Sequence, residues 1–100
     1  MSATLGEDFS LHGEEISAAN ADALRVQGEQ QIKRANGPVT CDLQGLQRAN
    51  SVTVAVMLAW YRAAHLAGHS ILFVNLSSEL RNIIAFSGLT DVLTRPEQTQ

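Results

Sequence analysis

The order of apolar segments predicts an α/β domain, a mixed β-sheet of four or five strands with three to four helices packed on it. Three observations predict it. The chain opens on apolar residues at odd positions (Leu5, Phe9, Leu11), two β-type runs (Val39 to Leu43 and Ser70 to Leu76) each follow a helix-type stretch, and Gly37-Pro38, Gly68 and Gly88 close the helix-type stretches. Strand alternating with helix after an opening hairpin stacks helices on a sheet.

The segment from Thr4 to Glu15 reads as a half-buried strand that turns near Gly13-Glu14-Glu15, with a short second strand around Ile16. Asn20 or Asp22 is the expected cap of a first helix. Ala21, Leu24, Ile32 and Ala35 form its apolar side, and Arg25, Gln27, Glu29, Gln30, Lys33 and Arg34 its wet side. Val39, Cys41 and Leu43 make a strand, and Gly45 to Ala49 a loop. A second helix runs from Ser51 to about Ala67. The strand from Ser70 to Leu76, with its apolar run Ile71-Leu72-Phe73-Val74, suits a strand covered on both faces. Ser77 or Ser78 caps a last helix carrying Leu80, Ile83, Ile84 and Phe86. The domain is expected over 1–95, with a polar tail at 96–100.

Composition narrows the function. One hundred residues with 45% hydrophobic content make one domain with a core. A net charge of −3 with scattered cations lacks the Lys/Arg excess that grips phosphates, which excludes nucleic acid as the expected partner. The lone Cys41 forms no internal disulfide, and no basic-then-apolar leader opens the sequence, so a reducing cytoplasm is the expected compartment. The longest mostly apolar run, Val52 to Leu66, falls about five residues short of a membrane span and contains Arg62 and His65, so no membrane insertion is expected.

The second helix carries the candidate site. A helix start exposes about four unpaired N–H groups and roughly half a unit of positive charge, which suits a cap, a phosphate or a partner's acid. Ser51, or Asn50 before it, is placed there. At about 100° per residue, Val54, Met57, Leu58, Tyr61 and Ala64 fall on one side of the helix, and Val52, Ala55, Ala59, Arg62, Ala63 and Leu66 on the other. The bulky side is expected against the sheet. The small stripe of Ala55, Ala59 and Ala63 then faces outward, free for a second surface or for the protein's own helices.

Catalysis finds little support. Asp42, Ser51 and His65 can be drawn as a triad, but Ser51 and His65 are about 14 residues apart on one helix, roughly 21 Å, beyond hydrogen-bond reach. His12, His65 and His69 have no companion Cys or carboxylate at metal-ligand spacing, and Gly45 stands alone rather than in a phosphate-binding loop. No metal or cofactor is expected, and Cys41 reads as a small core residue.

Several segments together resemble a STAS domain. They are the Asp42-Leu43-x-Gly45-Leu46 strand end, the Asn50-Ser51 helix start, the helix closed by Ala67-Gly68, the strand to Leu76, and Phe86-Ser87-Gly88-Leu89-Thr90-Asp91-Val92-Leu93. Within that superfamily the chain is similar to the MlaB-type members, small cytoplasmic subunits of Mla ABC transporters, which move phospholipids between the two membranes of Gram-negative bacteria. This resemblance implies a non-enzymatic subunit, peripheral to the inner membrane, that binds an ATPase subunit within a complex with a permease and a lipid-binding subunit and helps maintain outer-membrane lipid asymmetry. It implies a contact surface around Asn50 and Ser51; joined to the outward face of the second helix, this makes Asn50, Ser51, Val52, Ala55, Ala59, Arg62 and Leu66 the expected partner-binding residues. STAS antagonists of anti-sigma factors carry Asp-Ser-Ser-Gly at this helix start, the second Ser being phosphorylated by a kinase partner. Here Asn50 stands for the Asp, Val52 for that Ser and Thr53 for the Gly, which weakens the switch reading and leaves Ser51 or Thr53 as its phosphate acceptor. A third reading is a small-ligand carrier with a pocket under the Ser51 loop.

Overall fold

The computed structural model describes residues 2–94; the expected polar tail at 96–100 lies outside them. Eight elements follow one another: β1 (Thr4–Leu5), β2 (Ser10–Gly13), α1 (Ala18–Arg34), β3 (Val39–Leu46), α2 (Ser51–Leu66), β4 (Ile71–Val74), α3 (Ser78–Phe86) and α4 (Thr90–Leu93). They build one four-stranded sheet in the order β1-β2-β3-β4, with β1 antiparallel to β2 and the β2–β3 and β3–β4 pairs parallel. The mixed α/β class is therefore as expected. Its parallel pairs are joined by α1 and α2, so both helices run back from the carboxyl ends of the strands and finish at the same end of the sheet.

The opening segment differs from its expectation. The reversal comes at Gly6-Glu7-Asp8-Phe9, not at Gly13 to Glu15, so the expected single strand is itself the hairpin. Local chemistry drives it. Gly6 N–H donates to Ser10 O at 2.9 Å, Phe9 N–H donates to Gly6 O at 3.0 Å, and the Asp8 carboxylate accepts from Ser10 N–H at 3.2 Å. Phe9 pays for this turn with φ +61°, a left-handed backbone, while its ring meets the Trp60 ring edge-on at a centroid distance of 5.1 Å. Ile16 is not in a strand but is fully buried, and Ser2 and Glu15 form an isolated bridge.

The first helix starts earlier than expected because Ser17, not Asn20 or Asp22, caps it. Asn20 acts from the third helical position: its Oδ1 accepts the Ser17 N–H at 2.8 Å and its Nδ2 donates to Ala3 O at 3.3 Å. Strand β3 reaches Leu46, taking in residues expected in the loop, and alternates Val39, Cys41, Leu43 and Leu46 inward against Thr40 and Gln44 outward. Strand β4 is an edge strand buried on one face: Phe73 is buried, whereas Leu72 is 38% exposed. Ser77 caps α3 as expected, its hydroxyl accepting Leu80 N–H at 3.1 Å.

The core lies between the inner sheet face and α1, α2 and α3. Trp60 anchors it, fully buried, its indole N–H donating to Arg25 O at 3.1 Å. Gly28 in α1 makes room, since a Cβ there would stand 2.1 Å from Trp60 Nε1. Trp60 and Val56 thus point at α1, a second inner direction of α2 that the periodicity did not single out.

Candidate functional site

The amino end of α2 is built by closure of local hydrogen bonds. Asn50 is its cap: Asn50 Oδ1 accepts Thr53 N–H at 3.0 Å, and Thr53 Oγ1 accepts Asn50 N–H at 3.2 Å. Asn50 also donates from Nδ2 to Ile16 O at 3.0 Å, which ties the helix start to the connection between β2 and α1. Backbone bonds from Gln47 N–H to Gly13 O at 2.9 Å and from Arg48 N–H to Glu14 O at 2.8 Å pin the preceding loop. Ala49 N–H donates to Glu79 Oε1 of α3 at 3.1 Å. Asn50 is therefore a fixed structural member.

Ser51 is left over. It occupies the first helical position, is exposed, and its hydroxyl makes no hydrogen bond among the described residues. Val52 is half-buried and packs on the core. Thr53 is fully buried, so of the two hydroxyls at this start only Ser51 is open.

From Ser51 the outward stripe climbs at helical spacing. Ala55, Arg62 and Leu66 are exposed and Ala59 half-exposed, while Ala63 packs against the core. Leu66 is 86% exposed, a large side chain left in the open. The stripe runs beside α1, and two shallow grooves lie on that seam. One is lined by Ala18, Ala21, Asp22, Arg25, Val52 and Ala55, the other by Glu29, Lys33, Ala59, Arg62, Leu66 and Ala67. The sequence placed α1 on the surface without placing it beside this stripe; only the parallel topology makes them neighbours.

The paper triad is not assembled. Ser51 and His65 sit at opposite ends of α2, and Asp42 Oδ1 accepts from Asn75 Nδ2 at 3.0 Å and from Gln44 N–H at 2.9 Å on the open sheet face. The Asn75 bond first, then the Gln44 bond, holds the Asp42 carboxyl below the usual carboxylate range. A second Asp/Ser/His set, missed in the sequence, lies beside it. Ser10 Oγ donates to Asp8 Oδ1 at 2.6 Å and stands 2.9 Å from His12 Nε2. With its single proton given to Asp8, that hydroxyl has none to hand to an imidazole base, so the set is not a nucleophile arrangement. The Ser10 bond lowers the Asp8 pKa. Cys41 is fully buried and burial pushes its thiol pKa up, which keeps it an unreactive core residue. Among the described residues no group of His, Cys, Asp and Glu is arranged to hold a metal, and no helix is long and apolar enough to cross a membrane.

The backbone resembles solved structures of anti-sigma factor antagonists. A Thermotoga maritima protein described as a candidate antagonist superposes with a TM-score of 0.70 at 10% identity, covering 92% of this chain and 81% of that one. The antagonist SpoIIAA in its unphosphorylated form gives a TM-score of 0.66 at 16% identity, covering 93% of this chain and 84% of its own. At such identities the likeness speaks for fold. No curated protein matches the sequence. The family model of the MlaB-type STAS domain matches residues 9–95, which spans both strand–helix crossovers and the capped start of α2. The chain belongs to the MlaB-type STAS domain family.

Proposed function

We propose that this chain is a non-enzymatic accessory subunit that docks on the ATPase subunit of a Mla-type phospholipid-transport ABC complex, together with a permease and a lipid-binding subunit, in the cytoplasm at the inner membrane. Its part in keeping outer-membrane lipid asymmetry follows from that place in the complex. STAS-domain proteins act through protein–protein contacts, and one observation carries the choice of surface: Ser51, Ala55, Ala59, Arg62 and Leu66 form a single open stripe on a helix whose start is locked by Asn50 and Thr53. A rigid, lightly furnished stripe lets a partner's backbone approach closely, and the area it buries stabilises the partner by linkage. Val52 packs on the core and contributes to the docking surface by its exposed edge.

Co-purification with the Mla-type ATPase tests this reading. Ser51→Glu and Ala59→Trp each abolish it while the isolated domain keeps its thermal midpoint; assembly retained by both variants overturns the chosen surface.

The antagonist fold of both solved structures supports a second reading, a phospho-switch that binds a kinase and an anti-sigma factor. Ser51 is its one open acceptor, since Thr53 is buried and engaged in the cap. A phosphate on Ser51 in the protein isolated from its own cell, seen by intact mass, favours the switch; its absence under conditions of active lipid transport favours the transporter.

A further inference from the structure

The two grooves along the α1–α2 seam differ in charge. In the first, the lining holds one acid and one base, Asp22 and Arg25, and Arg25 is fully engaged, donating from Nη2 to Asp22 Oδ1 at 2.7 Å and from Nη1 to Glu29 Oε2 at 3.0 Å. The same Nη1 also donates to Glu29 Oε1 at 3.0 Å, so both oxygens of Glu29 are engaged. Glu29 is the one carboxylate in the lining of the second groove, which leaves Lys33 and Arg62 there without an ion-pair partner among the described residues. Leu66, 86% exposed, lines the same groove, together with the small Ala59 and Ala67.

Resting on the docking role proposed above, we infer that the carboxyl-terminal half of the α1–α2 seam receives an acidic segment of the ATPase subunit, one that sets an apolar side chain against Leu66 and carboxylates against Lys33 and Arg62. The charge balance selects this occupant. A second copy of this chain would bring the same two cations against themselves, and a purely apolar segment would leave both unpaired as water is expelled around them. Basic residues in the last turn of a helix also complement its dipole, which accounts for Lys33 in α1. It does not account for Arg62, a full turn before the end of α2, nor for an open Leu66 beside it.

The purified Mla-type ATPase is titrated against the unaltered chain, the double variant Lys33→Glu/Arg62→Glu, Leu66→Ser, and Arg34→Glu as a control whose side chain lines a different concavity with Glu7 and Gln31. The inference expects the double variant to bind at least tenfold more weakly with a flatter dependence on salt, Leu66→Ser to bind several-fold more weakly, and Arg34→Glu to bind within twofold of the unaltered chain. Equal binding and equal salt dependence of the unaltered chain and the double variant overturn this inference and take Arg62 out of the docking stripe, while its Ser51 and Ala59 part, tested by its own variants, stands. No binding by the unaltered chain overturns both. Two other results also overturn it: a dimer of the unaltered chain that the double variant abolishes, which makes a second copy the occupant, and binding to vesicles of anionic phospholipid that the double variant abolishes, which makes it a lipid surface.

Discussion

The two sides of α2 use the same sixteen-residue helix for opposite ends. Its inner side, with Thr53, Val56, Met57, Trp60 and Ala64, is buried and fully partnered. The Trp60 N–H reaches Arg25 O, and the Thr53 hydroxyl sits inside the cap. Its outer side keeps Ser51, Ala55, Arg62 and Leu66 in water with little to hold them. The difference separates stability from binding on one element. Substitutions inside change whether the domain folds, and substitutions outside change what it meets.

The sharpest way to break that division is Trp60→Ala. It removes a fully buried ring, its bond to Arg25 O and its edge-on contact with Phe9, and is expected to cost about 3–5 kcal/mol by urea unfolding. Gly28→Ala attacks the same spot from α1, because the new Cβ would stand 2.1 Å from Trp60 Nε1 and must displace α1 or the ring; about 1–3 kcal/mol is expected. Asn50→Ala removes the cap and the tie to Ile16 O, and about 1–2 kcal/mol of stability is expected to go with them. On the outer side, Leu66→Ser is expected to change stability by less than about 0.5 kcal/mol, since an 86% exposed side chain has little burial to lose.

Smallest of all is a pH effect on the open sheet face. The folded-state pKa of Asp42 is lowered, so its contribution to stability is complete above the unfolded carboxylate value of about 4 and is lost as pH falls through the lower folded value. Asn75→Gly tolerates the left-handed backbone at φ +60° and removes the amide that holds Asp42. The acid limb of its stability profile, followed by circular dichroism, is expected to be shallower than that of the unaltered chain.

What was legible in the sequence followed local rules. Gly37-Pro38, Gly68 and Gly88 marked helix ends, Ser77 capped α3, and the period of α2 separated Met57 and Val54 from Ala55, Arg62 and Leu66. The hairpin was not legible as one because Leu5, Phe9 and Leu11 keep odd numbering across a turn, and the alternation masked Gly6-Glu7-Asp8 as a reversal. Ser17 was passed over as a cap because Asn20 and Asp22 are equally good cap residues. The choice between them is made by Ala3 O, which is close only in the folded chain. Strand β4 looked doubly covered because apolar content reports burial in general, not that the helices cover one face of the sheet and leave Leu72 on the other open. At the candidate site, Asn50 and Ser51 were both visible, but their division of labour was not. The cap goes to the residue whose amide also reaches Ile16 O, and that contact spans 34 positions in the sequence.

The most direct measurement of the central claim is cysteine footprinting on the outer side of α2. Cys41 is fully buried with its thiol pKa raised, so Ser51→Cys and Ala55→Cys each present a single reactive thiol. Maleimide is expected to label both quickly in the isolated domain and at least tenfold more slowly once the Mla-type ATPase is bound. Labelling at the same rate in a complex shown to be fully formed would contradict the account.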